Sequence, residues 1–229
     1  MDATGSSIER YERDGFVLVP DLFTRDECAA LKAEGRDVLR KHARPGATVY
    51  VGAAASSGVF FDLASDDRLV RTLHELMPRG VMFMSDKLVF KSGVQPKPTP
   101  WHCDEAYWRG TRPKLSIWIA LDDVTASNGA LRVLPGGHRE KWTHTTPDGQ
   151  GEEFDQRIRD LGGREGETIV CEMSAGSALF FSDLLPHSST PNTDGSDRYA
   201  VISTYHEPAP DEEFDLGFPA RHVIEPAGV

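Results

Sequence analysis

The sequence predicts a mainly β protein, a β-sandwich or jelly roll with helices on one face, and three features of the chain indicate this class. Two segments with helical periodicity lie in the first 80 residues, and short apolar runs of β type follow them. Gly, Pro, Asn and Asp separate these runs, as they do between the strands of antiparallel sheets. No internal repeat or low-complexity tract interrupts this order. Many short strands after two helices are typical of a layered β fold with helices on one side.

The chain is predicted to begin with a short strand and an amphipathic helix. Residues 15–19 are apolar and read as the strand. Thr24 and Glu27 then have the spacing of a capping box, in which each side chain satisfies a backbone N–H of the other residue. The helix that starts there is expected to reach about Lys41, and its apolar stripe makes it a packing helix.

A second packing helix is predicted after a loop of small residues at 52–58. Its apolar residues recur at helical spacing over residues 66–77, and Pro78 ends it because proline cannot continue the hydrogen-bond pattern. These elements complete an N-terminal part, residues 1–80, of one domain that spans residues 1–229.

The β-rich core is predicted over residues 81–206, and a C-terminal strand is predicted within residues 207–229. The apolar runs are at 81–91, 115–121, 130–134, 168–171, 178–181, 199–205 and 221–224. One polar segment, residues 143–167, carries seven acidic residues against three arginines. Such a segment is either a functional lid over a site or a solvated insertion, and both alternatives stay open.

Composition excludes several classes of function. The 229 residues carry a formal net charge of −11, which disfavours nucleic acid as a partner because its binding needs clustered Lys and Arg. The three cysteines are odd in number and far apart, so a disulfide framework and a zinc ribbon are both unsupported. The longest apolar run is too short to cross a bilayer. We therefore expect a cytoplasmic protein with no membrane partner, and its oligomeric state is left open.

His102 and Asp104 are the strongest candidates for a metal site. The two residues are separated by one position, and side chains at i and i+2 of an extended chain share a face. His187 follows the apolar run at 178–181, so it lies at a strand end. Two histidines and one carboxylate form the triad that leaves one side of an Fe(II) ion open. The spacing therefore predicts an iron centre.

Arg198 is the candidate partner for an anionic cosubstrate. It begins the apolar strand at 199–205, eleven residues after His187, so its guanidinium can enter the same interior. A buried carboxylate is costly unless it is paired, and an arginine offers a bidentate match. The triad and Arg198 together therefore suit 2-oxoglutarate.

Four blocks of sequence, in order, carry a resemblance to a known family. They read Trp-His-Cys-Asp at 101–104, Trp-Ile-Ala-Leu-Asp-Asp at 118–123, Asn-Gly-Ala-Leu-Arg-Val-Leu-Pro-Gly-Gly-His at 128–138, and His-Ser-Ser-Thr-Pro-Asn at 187–192 with Arg198 downstream. This pattern resembles the phytanoyl-CoA dioxygenase family. The chain departs from it in being shorter than many relatives and in reading Pro-Gly-Gly-His where the family often has Pro-Gly-Ser-His.

The resemblance implies a double-stranded β-helix (jelly roll, cupin-like) fold and an Fe(II)- and 2-oxoglutarate-dependent dioxygenase that uses O2. It implies iron ligation by His102, Asp104 and His187, and anchoring of 2-oxoglutarate by Arg198. Three further residues match family positions that line the cosubstrate. These are Ser189, Trp118 and Lys87, although Lys91 can be confused with the last.

The expected activity is oxidation of a small polar metabolite or natural product, as in secondary metabolism, with release of succinate and CO2. Hydroxylation is the usual outcome, and desaturation, epoxidation or ring closure are the others. Two alternatives stay open: a 2-oxoglutarate-independent β-barrel metalloenzyme and a non-catalytic ligand-binding member of the fold. The acidic segment at 143–167 further suggests a cationic substrate. Trp101, Tyr107 and Trp108 are either core aromatics or walls of the substrate pocket, and His138 is expected to stabilise its turn.

Overall fold

Two antiparallel sheets and a helical layer form the frame of the protein, as a computed structural model shows. The structure describes residues 5–94, 96–108, 113–146, 156–208, 220 and 222–224. The helices of these residues are α1 (Ser7–Asp14), α2 (Arg25–His42), α3 (Ala53–Ser56), α4 (Gly58–Leu63) and α5 (Asp67–Leu76). Their strands are β1 (Phe16–Val19), β2 (Val49–Val51), β3 (Val81–Lys91), β4 (Lys114–Ala120), β5 (Leu131–Val133), β6 (His144–Thr145), β7 (Arg157–Ile158), β8 (Ile169–Cys171), β9 (Ala178–Ser182), β10 (His187–Ser189), β11 (Arg198–His206) and β12 (His222–Ile224).

The larger sheet has the strand order β1-β9-β4-β11-β3-β12, and β2 also pairs with β3. All of these pairs are antiparallel. Neighbours along the chain are therefore not always neighbours in the sheet, because β11 inserts between β3 and β4. This order brings a late strand, β11, against the early strand β3, so Arg198 lies opposite Lys91 and Ile202 opposite Lys87.

The smaller sheet faces the larger one and has the order β10-β5-β8. A separate two-stranded hairpin joins β6 to β7. Two facing antiparallel sheets with strands that cross between them are the jelly-roll arrangement. The sequence prediction of a jelly roll with flanking helices is confirmed.

Two apolar cores hold these layers together. The first lies between the helices and the outer face of the larger sheet, where Leu31 of α2 and Leu73 of α5 pack with Phe83, Ile117 and Val201. The second lies between the sheets. It includes Phe16, Trp118, Val133, Leu179 and Phe181. Because side chains alternate along each strand, the larger sheet supplies both cores from opposite faces.

The predicted helices are confirmed and one predicted loop is wrong. Thr24 and Glu27 form the capping box, with the Thr24 amide 2.7 Å from the Glu27 carboxylate, and α2 ends one residue after the predicted limit. The small-residue loop predicted at 52–58 instead contains α3. A short helix forms there because the buried Asp86 carboxylate accepts the amide of Ala54 at 2.9 Å and satisfies a donor at the helix start. None of the described helices has the length and apolar character needed to cross a bilayer.

Candidate active site

The three predicted metal ligands meet at one point between the two sheets. His102 and His187 form an isolated antiparallel bridge, with amide-to-carbonyl distances of 3.0 and 2.9 Å. The Oδ1 atom of Asp104 lies 3.9 Å from the Nε2 atom of each histidine. All three residues are buried, and one ligand atom from each lies within 4.8 Å of the others. The structure thus places together the residues that the sequence pattern predicted.

Backbone carbonyls orient both imidazoles. Nδ1 of His102 lies 2.9 Å from the carbonyl oxygen of Pro100, and Nδ1 of His187 lies 2.9 Å from that of Leu185. Since a carbonyl can only accept, each Nδ1 carries the proton and each Nε2 keeps its lone pair for a ligand. Burial is the main cause that lowers the pKa of His102, to about 3, and it also lowers the pKa of His187. Both rings are therefore neutral at neutral pH, as metal binding requires.

Asp104 is held as a carboxylate with one oxygen facing the histidines. Burial alone would raise its pKa, but the Lys87 ammonium, whose Nζ lies 3.5 Å from Oδ1, holds the pKa below its usual range. The hydroxyl of Ser116 donates to the other oxygen, Oδ2, at 3.1 Å, and a Thr204 hydroxyl lies 3.2 Å from Ser116. The serine thus fixes the plane of the carboxylate, which leaves Oδ1 for a metal.

This donor set fits Fe(II). Two neutral imidazoles and one carboxylate, all on one side, are the two-histidine, one-carboxylate facial triad of non-haem iron oxygenases. The Ser116 contact and the two carbonyl contacts are the outer-shell hydrogen bonds that such ligands need to keep their orientation. His138 lies outside this cluster, in a short 3₁₀ turn near Gly15, and its stabilisation of that turn stays a prediction.

A cavity of about 510 Å³ surrounds the triad, a size that suits small-molecule ligands. The described residues that line it are Val49, Val51, Lys87, Val89, Thr99, His102, Asp104, Tyr107, Trp108, Trp118, Leu131, His187, Ser188, Ser189, Arg198 and Ile202. Every residue that the sequence assigned to the site is therefore in one cavity.

Arg198 carries unpaired N–H groups at the closed end of the cavity. The residue is 2% exposed, and its Nη2 donates to the Gly129 carbonyl at 3.0 Å. Its Nε and Nη1 have no hydrogen-bond partner among the described residues. Desolvation lowers its pKa to about 10, so the guanidinium stays charged at neutral pH. A buried cation with unused donors is costly, and a bound carboxylate would offset that cost.

The backbone at Gly129 makes room for this arginine. Gly129 has a φ of 103°, in the left-handed region that favours glycine. A Cβ atom there would lie 2.3 Å from Cδ of Lys91 and 3.1 Å from Nη2 of Arg198. The Asn-Gly turn of the third sequence block therefore permits the close approach on which the position of Arg198 depends.

The remaining cosubstrate candidates fall on two sides of the metal site. Trp118 lies under the guanidinium of Arg198, with its ring centroid 5.1 Å from the Cζ atom. The Ser189 hydroxyl accepts the amide of Thr99 at 2.8 Å and lines the cavity. Lys87 lines the cavity beside Asp104, whereas Lys91 donates to the carbonyl of Lys97 and does not line it. The structure thus favours Lys87 over Lys91.

Aliphatic and aromatic side chains form the open end of the cavity. Val49 and Val51 of β2 pair with Val89 and Lys87 of β3, so these four residues share the inner face of the sheet. The ring of Trp108 lies 4.8 Å from Nζ of Lys87. Sequence reasoning did not assign Val49 and Val51 to the site. Their Val-Tyr-Val alternation is a weak strand signal, and nothing in it indicates which strand they join.

Two of the three aromatic residues around the metal motif are pocket walls. Tyr107 and Trp108 line the cavity, whereas Trp101 packs in a separate apolar cluster with Leu134 and Ile158. Trp101 also lies 4.9 Å from the guanidinium of Arg132, measured from its ring centroid. Of the two roles that the sequence left open, Tyr107 and Trp108 are pocket walls, whereas Trp101 is a core aromatic.

The described ends of the 143–167 segment form hydrogen bonds with residues 101–107, the segment that carries His102 and Asp104. The Ile158 amide donates to the Trp101 carbonyl at 2.8 Å, and the Cys103 amide lies 3.4 Å from Nε2 of His144. The Tyr107 hydroxyl donates to the Gln156 carbonyl at 3.0 Å and accepts the Gln156 amide at 3.1 Å. The strand pair of β6 and β7 therefore packs against the segment that carries His102 and Asp104. Seven acids prompted the expectation of a cationic substrate, and those at 148, 152, 153 and 155 lie outside the described residues. The other three, Asp160, Glu165 and Glu167, are exposed and do not line the cavity.

Comparisons with known proteins agree with this geometry. The sequence model of the family described as phytanoyl-CoA dioxygenase (PhyH) matches residues 11–200. The ectoine dioxygenase of Stutzerimonas stutzeri (strain A1501) is 27% identical over 229 residues, covering 87% of this chain and 75% of that protein. The L-proline trans-4-hydroxylase of Streptomyces griseoviridis is 27% identical over 226 residues, covering 86% of this chain and 84% of that protein.

A solved structure shows the same fold. The epimerase SnoN, in complex with Fe3+, alpha ketoglutarate and nogalamycin RO, superimposes with a TM-score of 0.72 at 21% sequence identity. The match covers 91% of this chain and 91% of that one. At this level of identity the likeness supports the jelly-roll architecture alone.

Proposed function

Because the chain belongs to the phytanoyl-CoA dioxygenase family, we propose that it hydroxylates a C–H bond of a small metabolite or natural product. The protein is an Fe(II)- and 2-oxoglutarate-dependent dioxygenase. In the proposal, His102, Asp104 and His187 hold the iron and Arg198 holds the far carboxylate of 2-oxoglutarate. Ser189, Trp118 and Lys87 line the cosubstrate.

One observation carries this proposal: the triad and a buried, partly unpaired arginine open onto the same cavity. The triad alone would also suit a metalloenzyme that does not use 2-oxoglutarate. Such an enzyme would have no use for the unpaired donors of Arg198, whose burial is costly without an anion. A non-catalytic binding protein would not need three oriented ligands. Both alternatives are therefore less well supported.

When bound, Fe(II) and 2-oxoglutarate supply the oxidising chemistry: O2 gives one oxygen atom to the C–H bond and one to succinate, and CO2 is released. The residues of the chain supply position and charge. Arg198 neutralises one end of the cosubstrate, and Trp118 closes the space beneath the guanidinium. The buried walls exclude water, which strengthens each charge interaction inside.

Isotope labelling tests the proposed reaction type. A cell extract of small metabolites is incubated with the protein, Fe(II) and 2-oxoglutarate under 18O2, and products are analysed by mass spectrometry. Hydroxylation predicts a new product that carries one 18O atom, formed together with labelled succinate. A product that has lost two hydrogens and carries no 18O would instead indicate desaturation or ring closure, and the hydroxylation proposal would fail.

A further inference from the structure

The open end of the cavity indicates the chemistry of the substrate, and this inference rests on the proposed function. We propose that the substrate presents an apolar group without positive charge to the metal site, against the part of the cavity wall that Val49, Val51 and Trp108 form. This differs from the cationic substrate that the acidic segment suggests. The proposal depends on the described residues of the wall and on the charge that they carry.

The strand register places the aliphatic side chains on the inner face of the sheet. Val51 lies opposite Lys87, and Ile202 lies opposite Lys87 from the other side. Val49 lies opposite Val89 in the next row. All five side chains line the cavity. Aliphatic side chains of β2, β3 and β11 therefore share this face, and Lys87 lies among them, in the row between Val51 and Ile202.

Part of this apolar surface is available to a ligand. Val51 is 51% exposed although it lines the cavity, and Val49 is half-buried. Covering such surface with an apolar group is favourable because it removes apolar area from water. The mouth can therefore contribute binding through burial, without a charged contact.

The aromatic wall on the other side is held in place before any ligand binds. Tyr107 is anchored through its hydroxyl to both backbone groups of Gln156, at 3.0 and 3.1 Å. Trp108 follows directly and lies against Lys87. The tyrosine hydroxyl donates one of these hydrogen bonds and accepts the other, so this part of the cavity wall is ordered before a ligand binds.

The charge of the wall opposes a cation. Lys87 is only partly exposed at the mouth, with its Nζ 3.5 Å from Oδ1 of Asp104 and 4.8 Å from the ring of Trp108. A ligand cation would meet this ammonium, and the nearby aromatic face already has a cation over it. Among the described lining residues Asp104 is the one carboxylate, and it is assigned to the metal. A group without positive charge avoids both problems.

The test compares two probes that share one apolar ring, cyclohexanol and cyclohexylammonium. The protein is loaded with Mn(II) in place of Fe(II) and saturated with 2-oxoglutarate, and the paramagnetic relaxation of probe protons reports binding close to the metal. We expect cyclohexanol to bind at least fivefold more tightly than cyclohexylammonium. Equal or tighter binding of cyclohexylammonium would overturn the proposal.

Two valine variants test whether β2 forms the part of the wall that sets the preference between the probes. Val51→Asp places a carboxylate on the wall, so the preference for cyclohexanol over cyclohexylammonium should fall at least fivefold. Val59→Asp is the matched control, because Val59 is 46% exposed on α4 and does not line the cavity. Its preference should equal that of the wild type. An unchanged preference in Val51→Asp, or an equal change in both variants, would show that β2 is not the substrate wall.

Electron paramagnetic resonance of Mn(II) separates the two possible failures. If Mn(II) does not bind to the wild type, the proposed function fails before the probes are added. If Mn(II) and 2-oxoglutarate bind but the order of the probes is reversed, the oxygenase assignment stands and the inferred substrate class is wrong.

Discussion

The two ends of the cavity differ in what they require from a ligand. The closed end contains Arg198 and Trp118, which are 2% and 1% exposed, and its arginine has N–H groups without partners among the described residues. The open end contains Val51, which is 51% exposed, beside Lys87. A buried charge needs one ligand of defined shape and opposite sign. A half-exposed apolar wall can be covered by many molecules, so in our proposal the open end is where the substrate binds.

Removal of a metal ligand should have the largest effect, because both ends depend on the ion between them. His187→Ala leaves two of the three proposed ligands, and we expect loss of Fe(II) binding and of succinate formation. His138→Ala is the matched control, since this histidine lies outside the cluster. Anaerobic Fe(II) titration measures both variants. Near-normal affinity in His187→Ala would refute the triad.

Loss of the arginine should affect the closed end alone. Arg198→Ala removes a charge-assisted bidentate pair worth about 1.5–3 kcal/mol, so half-saturation by 2-oxoglutarate should rise at least tenfold. Fe(II) affinity should not change. Succinate formation against cosubstrate concentration measures the first quantity. An unchanged curve would move the distal anchor elsewhere, and Lys87→Met would then be the next variant.

Loss of the hydrogen bond from Ser116 to Asp104 should weaken metal binding, with no direct effect on either end of the cavity. Ser116→Ala removes the contact to Oδ2, and lost outer-shell contacts typically weaken metal binding by about 10- to 100-fold. Ser203→Ala is the matched control, because Ser203 lies next to Thr204 on the same strand and pairs with Ile117 on the helix-facing side. Mn(II) affinity and thermal stability are measured for both. Equal Mn(II) affinity in the two variants would exclude a positioning role.

Asp86 should make the stability of the open end depend on pH. It caps the first turn of α3, and burial raises the pKa of its carboxyl to about 6, from about 4 for an ordinary aspartate. As pH rises, the unfolded chain loses the Asp86 proton at about pH 4, whereas the folded protein keeps it until about pH 6. Ionisation therefore favours the unfolded state between these values, and the free energy of unfolding falls as pH rises from about 4 to about 6. Two pKa units correspond to roughly 2–3 kcal/mol.

Urea unfolding of the wild type and Asp86→Asn at pH 4, 5, 6 and 7 measures this dependence. The free energy of unfolding of the wild type, minus that of the variant, should fall with pH over this window. A difference that stays level would mean that folding does not shift the pKa of Asp86, and one that rises would mean that folding lowers it; either result would contradict the prediction.

The smallest expected effect concerns the aromatic wall. Tyr107→Phe removes the hydroxyl that holds Gln156, a loss of about 1 kcal/mol for a typical hydrogen bond. Amide hydrogen exchange of Gln156 should become several-fold faster, while 2-oxoglutarate affinity stays unchanged. A change confined to 2-oxoglutarate affinity would place Tyr107 at the other end of the cavity.

The difference between the two ends of the cavity also explains which parts of the site the sequence could predict. His102, Asp104, His187 and Arg198 lie in short blocks whose spacing and strand context carry their chemistry, so the metal site and the closed end could be predicted. The two main helices were also predictable, because periodicity and a capping box are local signals.

The open end depends on contacts that are far apart in the chain. Val49 and Val51 reach the cavity only because β2 pairs with β3, and Tyr107 is held by Gln156 through a bond that spans 49 positions. The turn before α3 forms because Asp86, 32 positions away, accepts the Ala54 amide. Strand pairing of this kind follows from tertiary packing, which local pattern does not determine.

Anaerobic calorimetric titration of 2-oxoglutarate tests the central claim, that the metal triad and Arg198 form one cosubstrate site. The titration is run on the wild type with Fe(II), on the wild type without metal, and on Arg198→Ala with Fe(II). The account predicts one 2-oxoglutarate per chain with Fe(II), and binding at least tenfold weaker in the other two samples. Binding that is equal with and without Fe(II), or equal in Arg198→Ala, would contradict it.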